Sequence, residues 1–154
     1  MRRWSAFSWM VGLLALACPV SGSSPSASNL LVGASTCGKC HPKAYQSWKA
    51  SRHAQAQATL PADHEGDLRC TQCHGENTLP STGVQCESCH GPGLYYASKH
   101  VMRDAELSRI VGLVIPSPAQ VCSRCHNENT PRIRPFDAQA SWGLITHDNE
   151  NKID

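Results

Sequence analysis

Residues 84–93 read Val84-Gln85-Cys86-Glu87-Ser88-Cys89-His90-Gly91-Pro92-Gly93. At the centre is a Cys-x-x-Cys-His pentapeptide, and three more copies flank it: Cys37-Gly38-Lys39-Cys40-His41, Cys70-Thr71-Gln72-Cys73-His74 and Cys122-Ser123-Arg124-Cys125-His126. The pattern is that of covalent c-type haem attachment. Cysteines at i and i+3 are neighbours on a helical turn, so both thiols can add to the vinyl groups of one porphyrin. The histidine at i+4 lies above the first cysteine and can offer its imidazole to the iron. Four copies use eight of the nine cysteines. The sequence therefore predicts four covalent haems, held by Cys37, Cys40, Cys70, Cys73, Cys86, Cys89, Cys122 and Cys125. His41, His74, His90 and His126 are the matching iron ligands.

Outward from the motifs, the N-terminus reads as a targeting segment. Arg2 and Arg3 precede a short apolar core around Val11 to Ala17, and Pro19, Ser21 and Gly22 follow at once. Such a run is too short to span a membrane and suits a secretory signal peptide over residues 1–22, with cleavage between Ala17 and Ser24. Cys18, the cysteine outside the motifs, is either discarded with the signal or serves as a lipid anchor. Residues 23–32 read as a Ser/Ala/Pro tether, and residues 33–154 as the tetrahaem domain. Export implies the periplasm, where covalent haem attachment takes place. An oxidising compartment also admits disulfides, but those would not explain a histidine after every cysteine pair. Zinc binding through Cys and His fails on the same ground.

From Ser23 onward, Leu, Ile, Val and Phe make up well under a fifth of the residues, a composition that by itself leans toward disorder. Four porphyrins supply the missing apolar core, and the peptide wraps them. Without Arg2 and Arg3, twelve basic residues balance twelve acidic ones. The haem propionates then make the holoprotein net acidic. No basic run points to nucleic acid.

The helices expected from the sequence are short. Pro42 suits a first helical turn, and Lys43 to Ala58 is rich in helix formers, with Tyr45 and Trp48 packing on porphyrin and Pro61 as the stop. Gly75 ends the turn of the second motif, and 77–83 reads as a turn. Only sixteen residues separate Cys70 from Cys86, which makes the second and third haems neighbours. Leu94 to Val111 is helical in character. Ser117 and Pro118 open a helix that carries the fourth motif to Asn127. Pro131 and Pro135 mark an irregular tail. The fold class is all-α and loop-rich, short helices around four haems.

Four histidines remain beyond the motifs: His53, His64, His100 and His147. Eight histidines match two axial ligands on each of four irons. Met102 is the one methionine left after processing, so bis-His ligation leads, with the low potentials that accompany it. If 42–54 is one helix, His53 lies about 18 Å along it from His41 and belongs to a different iron. His90 and His100, separated by Gly91-Pro92-Gly93, are likewise assigned to different irons.

Cys37-Gly38-Lys39-Cys40-His41 with Tyr45, Trp48, Ser51, His53 and Ala54 resembles the start of the cytochrome c-554 family of tetrahaem proteins. Val84 to Gly93, with Tyr96 and His100, is similar to that family's third haem segment. The resemblance spans residues 33 to 126 and implies a helical fold with closely packed haem pairs. It also implies that His100 completes the first haem beside His41, that His53 completes the third beside His90, and that the second haem can be five-coordinate. The remaining assignments are His147 with His126, and His64 as the distal candidate at the second haem.

The expected function is periplasmic electron transfer between donor and acceptor proteins through four close haems, with the peptide setting ligands, burial and spacing. The alternative is a small nitrogen-oxide redox enzyme acting at an open second haem.

Overall fold

Prolines, glycines and the haem motifs themselves interrupt the chain every few residues, so its helices stay short. The computed structural model describes residues 27–75, 83–128, 130 and 136–147. The expected signal segment with Cys18, the expected turn apart from Gly83, and Pro131 and Pro135 lie outside the described residues. Among the described residues, eight α-helices run in order: α1 (Ala34–Gly38), α2 (Pro42–Lys49), α3 (Leu68–His74), α4 (Cys86–His90), α5 (Lys99–Met102), α6 (Ala105–Ile110), α7 (Pro118–Val121) and α8 (Ala138–Trp142). Four 3-10 turns complete the regular structure, at Ala27–Leu30, Gln57–Thr59, Ala62–His64 and Cys122–Arg124. No strand occurs among the described residues. The fold is all-α and loop-rich, as the sequence predicts.

Three expected helices are cut shorter than their composition suggests. The segment from Lys43 to Ala58 leaves the α-helix at Lys49, where the Ser51 amide donates to the Trp48 carbonyl at 2.8 Å. The His53 carbonyl then accepts from the Val84 amide at 2.9 Å, a bond that fastens this turn to the approach of the third motif. Tertiary partners outweigh helix propensity here. Leu94 to Val111 divides into α5 and α6, because the Asp104 carboxylate accepts from the amides of Glu106 and Leu107 and starts a new helix. Ser117 and Pro118 open α7 as expected, with the Ser117 hydroxyl donating to Gln120 Oε1 at 2.9 Å. That helix ends at Val121, and the fourth motif follows in a 3-10 turn.

The peptide core is small, as the composition requires. Its buried apolar members are Ala34, Ala54, Tyr96, Val101 and Val121, while Leu68, Ile110 and Leu144 stay largely exposed. Four polar side chains are buried with them: Thr71, Gln85, Glu87 and Ser108. The expected tether ends earlier than residue 32. Leu30 accepts from the Leu94 amide at 3.0 Å, and the amide of Val32 is bonded into the body of the fold.

Gly83 marks a tight crossing. Its φ is +121°, and a Cβ there would stand 2.3 Å from the His53 carbonyl oxygen. Gly83→Ala is therefore expected to lower stability by about 2–3 kcal/mol, read as a drop in the denaturant midpoint of the holoprotein. An unchanged midpoint would mean that the crossing relaxes without strain.

Candidate haem-binding site

Each motif keeps the helical turn that the attachment chemistry needs. The second lies within α3 and the third constitutes α4. The first bridges α1 and α2, with the His41 amide donating to the Cys37 carbonyl at 2.9 Å. The fourth closes in the same way, from the His126 amide to the Cys122 carbonyl at 2.8 Å. Their thiols meet across motifs. Cys37 is hydrogen-bonded to Cys86, and Cys73 to Cys125. The closest thiol contacts thus pair the first motif with the third and the second with the fourth, rather than the second with the third as chain spacing suggests. The two pairs touch through Cys89, which interacts electrostatically with Cys125, and through Arg124, whose Nη2 donates to the Ser88 carbonyl at 2.7 Å. No disulfide forms among the described residues.

The third motif is the hub, and Glu87 is its anchor. This buried carboxylate accepts from Val32 N at 2.9 Å, Gly33 N at 2.8 Å and Gly93 N at 2.6 Å. It ties the chain entering the first motif to the loop leaving the third. Gln85 adds a parallel bond, its Oε1 accepting from Ala34 N at 2.7 Å. On the other side of the first motif, Trp48 Nε1 donates to the Val84 carbonyl at 2.7 Å. The expected packing role of Trp48 thus comes with a specific hydrogen bond. None of Glu87, Gln85 or Trp48 Nε1 stands out as a fastener from motif spacing alone. The available signal was a carboxylate within a motif that precedes a Gly-Pro-Gly loop.

The motif histidines are oriented for metal binding. His90 Nδ1 lies 3.1 Å from the Val114 carbonyl, and His74 Nδ1 lies 2.9 Å from the Ala56 carbonyl. A carbonyl at Nδ1 holds the proton there and leaves Nε2 as the free ligand atom. The Val114 amide returns a bond to the His90 carbonyl at 2.8 Å, so the connection after α6 fixes both ring and backbone. Burial pushes the imidazoles of His41, His53, His90 and His126 below their usual pKa, which favours the neutral ligand form. Burial and its contact with Cys73 push the Cys125 thiol up to about 12. The Cys37 contact and burial likewise raise Cys86.

The distal histidines fall differently from the expected pairing. His147 lies beside His90, ring centres 5.9 Å apart, and also interacts with His41. His53 lies beside His126, ring centres 6.2 Å apart. His53 also lines one cavity with His90, the partner expected from the sequence, while His126 and His147 form no ring pair among the described residues. The segment after α8 carries His147 to the ring of His90 on α4. Phe136 stacks on His126 at 4.1 Å. His100 stands exposed on α5. His64 pairs with Asp63 at 2.9 Å and is not stacked against any motif histidine.

A cavity of about 750 Å³ opens between the first and third motifs. Cys37, Cys40, His41, Cys86, Cys89, His90, His53 and His147 line it, with Trp48, Tyr96 and Met102 as apolar wall. Thiols and imidazoles around one largely apolar space are the donor set and surroundings that thioether-bound haem needs. Zinc would need four ligands converging on one point. Among the described residues no three His, Cys, Asp or Glu side chains form such a group.

Known proteins share this organisation. Residues 36–91 match the family described as "Cytochrome c554 and c-prime". Cytochrome c-554 of Nitrosomonas europaea is 35% identical over 108 residues, covering 52% of this chain and 46% of that protein. The chain thus spans about half the length of that relative. The solved reduced state of cytochrome c554 from Nitrosomonas europaea superposes with a TM-score of 0.51 at 24% identity, over 76% of this chain and 78% of that one. It supports the likeness of fold.

Glu87→Ala removes the acceptor from three backbone amides, and unsatisfied buried donors cost about 1–3 kcal/mol each. The expected loss is about 3 kcal/mol or more, measured as the free energy of unfolding of the holoprotein. Glu87→Asp should recover part of it. At the second motif, Asp67 caps α3 and binds Arg69 at 2.6 Å. The Arg69 side chain holds the Asp67 carboxyl down to about 2. A group depressed in this way stabilises above its unfolded pKa and loses that contribution as pH falls through about 2. Carboxyl NMR titration should place the Asp67 midpoint there, and Arg69→Ala should move it up toward the ordinary aspartate range.

Proposed function

We propose that the chain, which resembles the cytochrome c-554 family over residues 36–91, binds four c-type haems through its four motifs and is a periplasmic carrier of electrons between redox proteins. The observation that carries this reading is the line of neighbouring motifs: Cys37 bonded to Cys86, Arg124 bonded to the Ser88 carbonyl, and Cys125 bonded to Cys73. When bound, the haem irons supply reversible one-electron ferric/ferrous exchange, and neighbouring motifs keep neighbouring irons within tunnelling reach. The peptide holds ligands, excludes water and fixes spacing. The periplasmic assignment rests on the signal-like N-terminus. No described helix is long and apolar enough to cross a membrane.

The proposed axial sets follow from the ring pairs. With metal–nitrogen bonds of about 2 Å, two imidazoles across one iron put their ring centres on the order of 6 Å apart. The pairs His90 with His147 and His53 with His126, at 5.9 and 6.2 Å, have that separation. His100 is kept for the first haem, beside His41, on the strength of the family resemblance. His74, held by Ala56, serves the second. His64, half exposed and bound to Asp63, contributes no ligand in this reading.

Electron paramagnetic resonance of the ferric protein tests the assignment. His53→Ala and His147→Ala should each add a high-spin signal equal to one of the four haems, whereas His64→Ala should leave the spectrum unchanged. Redox titration should show all four haems cycling reversibly. Haems that fail to cycle would overturn the carrier reading.

A further inference from the structure

The four motifs differ in what lies around them. Cys40 is the one exposed cysteine among the eight motif cysteines, while Cys37 of the same motif is turned inward against Cys86. The first attachment site therefore has one edge toward solvent and one toward the third motif. Its chain surroundings are uniformly basic. Residues 27–62 contain Lys39, Lys43, Lys49 and Arg52 and no Asp or Glu, and all four cations are exposed. Glu87 of the third motif is buried and bonded to backbone amides. Two cations beside other motifs are bonded within the fold, one at the second motif and one at the fourth. Arg69, before Cys70, is bound by Asp67 at 2.6 Å, and Arg124 donates to the Ser88 carbonyl. Beside Lys39 an open hollow of about 300 Å³ is lined by Ser35, Gly38, Pro42, Tyr45 and Gln46.

We propose that the α1–α2 face around Lys39 and Cys40 is the docking surface for a redox partner protein with an acidic surface. The inference rests on the carrier reading and adds where the partner sits and what chemistry recognises it. Surface cations beside an exposed redox centre steer an anionic partner through the encounter and orient it. The hollow gives a partner side chain a seat next to the exposed thioether position. The inward Cys37 edge then connects this surface to the rest of the motif line.

The test uses the fully reduced tetrahaem protein, whose bis-His haems are diamagnetic, and hexacyanochromate(III), a redox-inert paramagnetic trianion whose broadening is read as the difference from the spectrum without it. In amide NMR spectra at low ionic strength, broadening should centre on residues 35–46. Poly-L-glutamate should displace the probe. Lys39→Glu should cut the broadening there by about threefold or more, whereas Arg69→Glu, with the same change in net charge, should leave it in place. Oxidation by hexacyanoferrate(III) should slow in Lys39→Glu and oxidation by hexaammineruthenium(III) should not. Broadening centred elsewhere, or an equal response in both variants, overturns the docking surface. Because the broadening needs no electron transfer, that outcome is distinct from a failure of the haems to cycle, which overturns the carrier reading.

Discussion

A single carboxylate with nowhere to go but inward governs this architecture. Glu87 sits inside a haem motif, where the attachment chemistry asks nothing of it, and its oxygens are taken up by amides of Val32, Gly33 and Gly93. Charge-assisted bonds to backbone donors are short and strong, and the alternative for a buried carboxylate is costly. The chain entering the first motif therefore cannot drift from the third. Gln85 and Trp48 repeat the same connection through uncharged bonds. With so few buried aliphatic residues, polar fasteners of this kind take over the positioning that a hydrophobic core would otherwise provide.

The sequence disclosed the parts and left their arrangement open. Cofactor number, helical class and the small size of the apolar core could all be read from motif count and composition. The breaks at Lys49 and between Met102 and Ala105 could not. The first depends on the His53 carbonyl finding the Val84 amide, a partner some thirty residues away. The second depends on a capping aspartate within an otherwise helix-compatible run. The neighbours of the distal histidines depend on the folded path as well. Geometric argument from one long helix correctly separated His53 from His41, but the turn that places His53 near His126 is tertiary in origin. His147 lies beyond a proline-rich tail that carries no periodic signal, so only the folded chain could bring it to His90.

Charge shows a related division. Basic and acidic residues balance over the chain, which hides the fact that residues 27–62 carry cations alone. Arg69, beyond that segment, is instead bound by Asp67. Net charge describes solubility; the distribution describes where a partner is met.

The Arg124 bond to the Ser88 carbonyl joins the two variable residues of one motif to those of another. Glu87 occupies the same kind of position. The letters that a motif leaves unspecified are thus where this chain writes the relative placement of its cofactors. Exchanging the third and fourth motifs whole would preserve every cysteine and histidine, and the haems would still be attached. The assembly would lose its internal ruler, since Glu87 and Ser88 are fitted to the neighbours of the third motif. In this protein the consensus ensures that haem is bound, and the non-consensus residues decide whether the bound haems form a conductor.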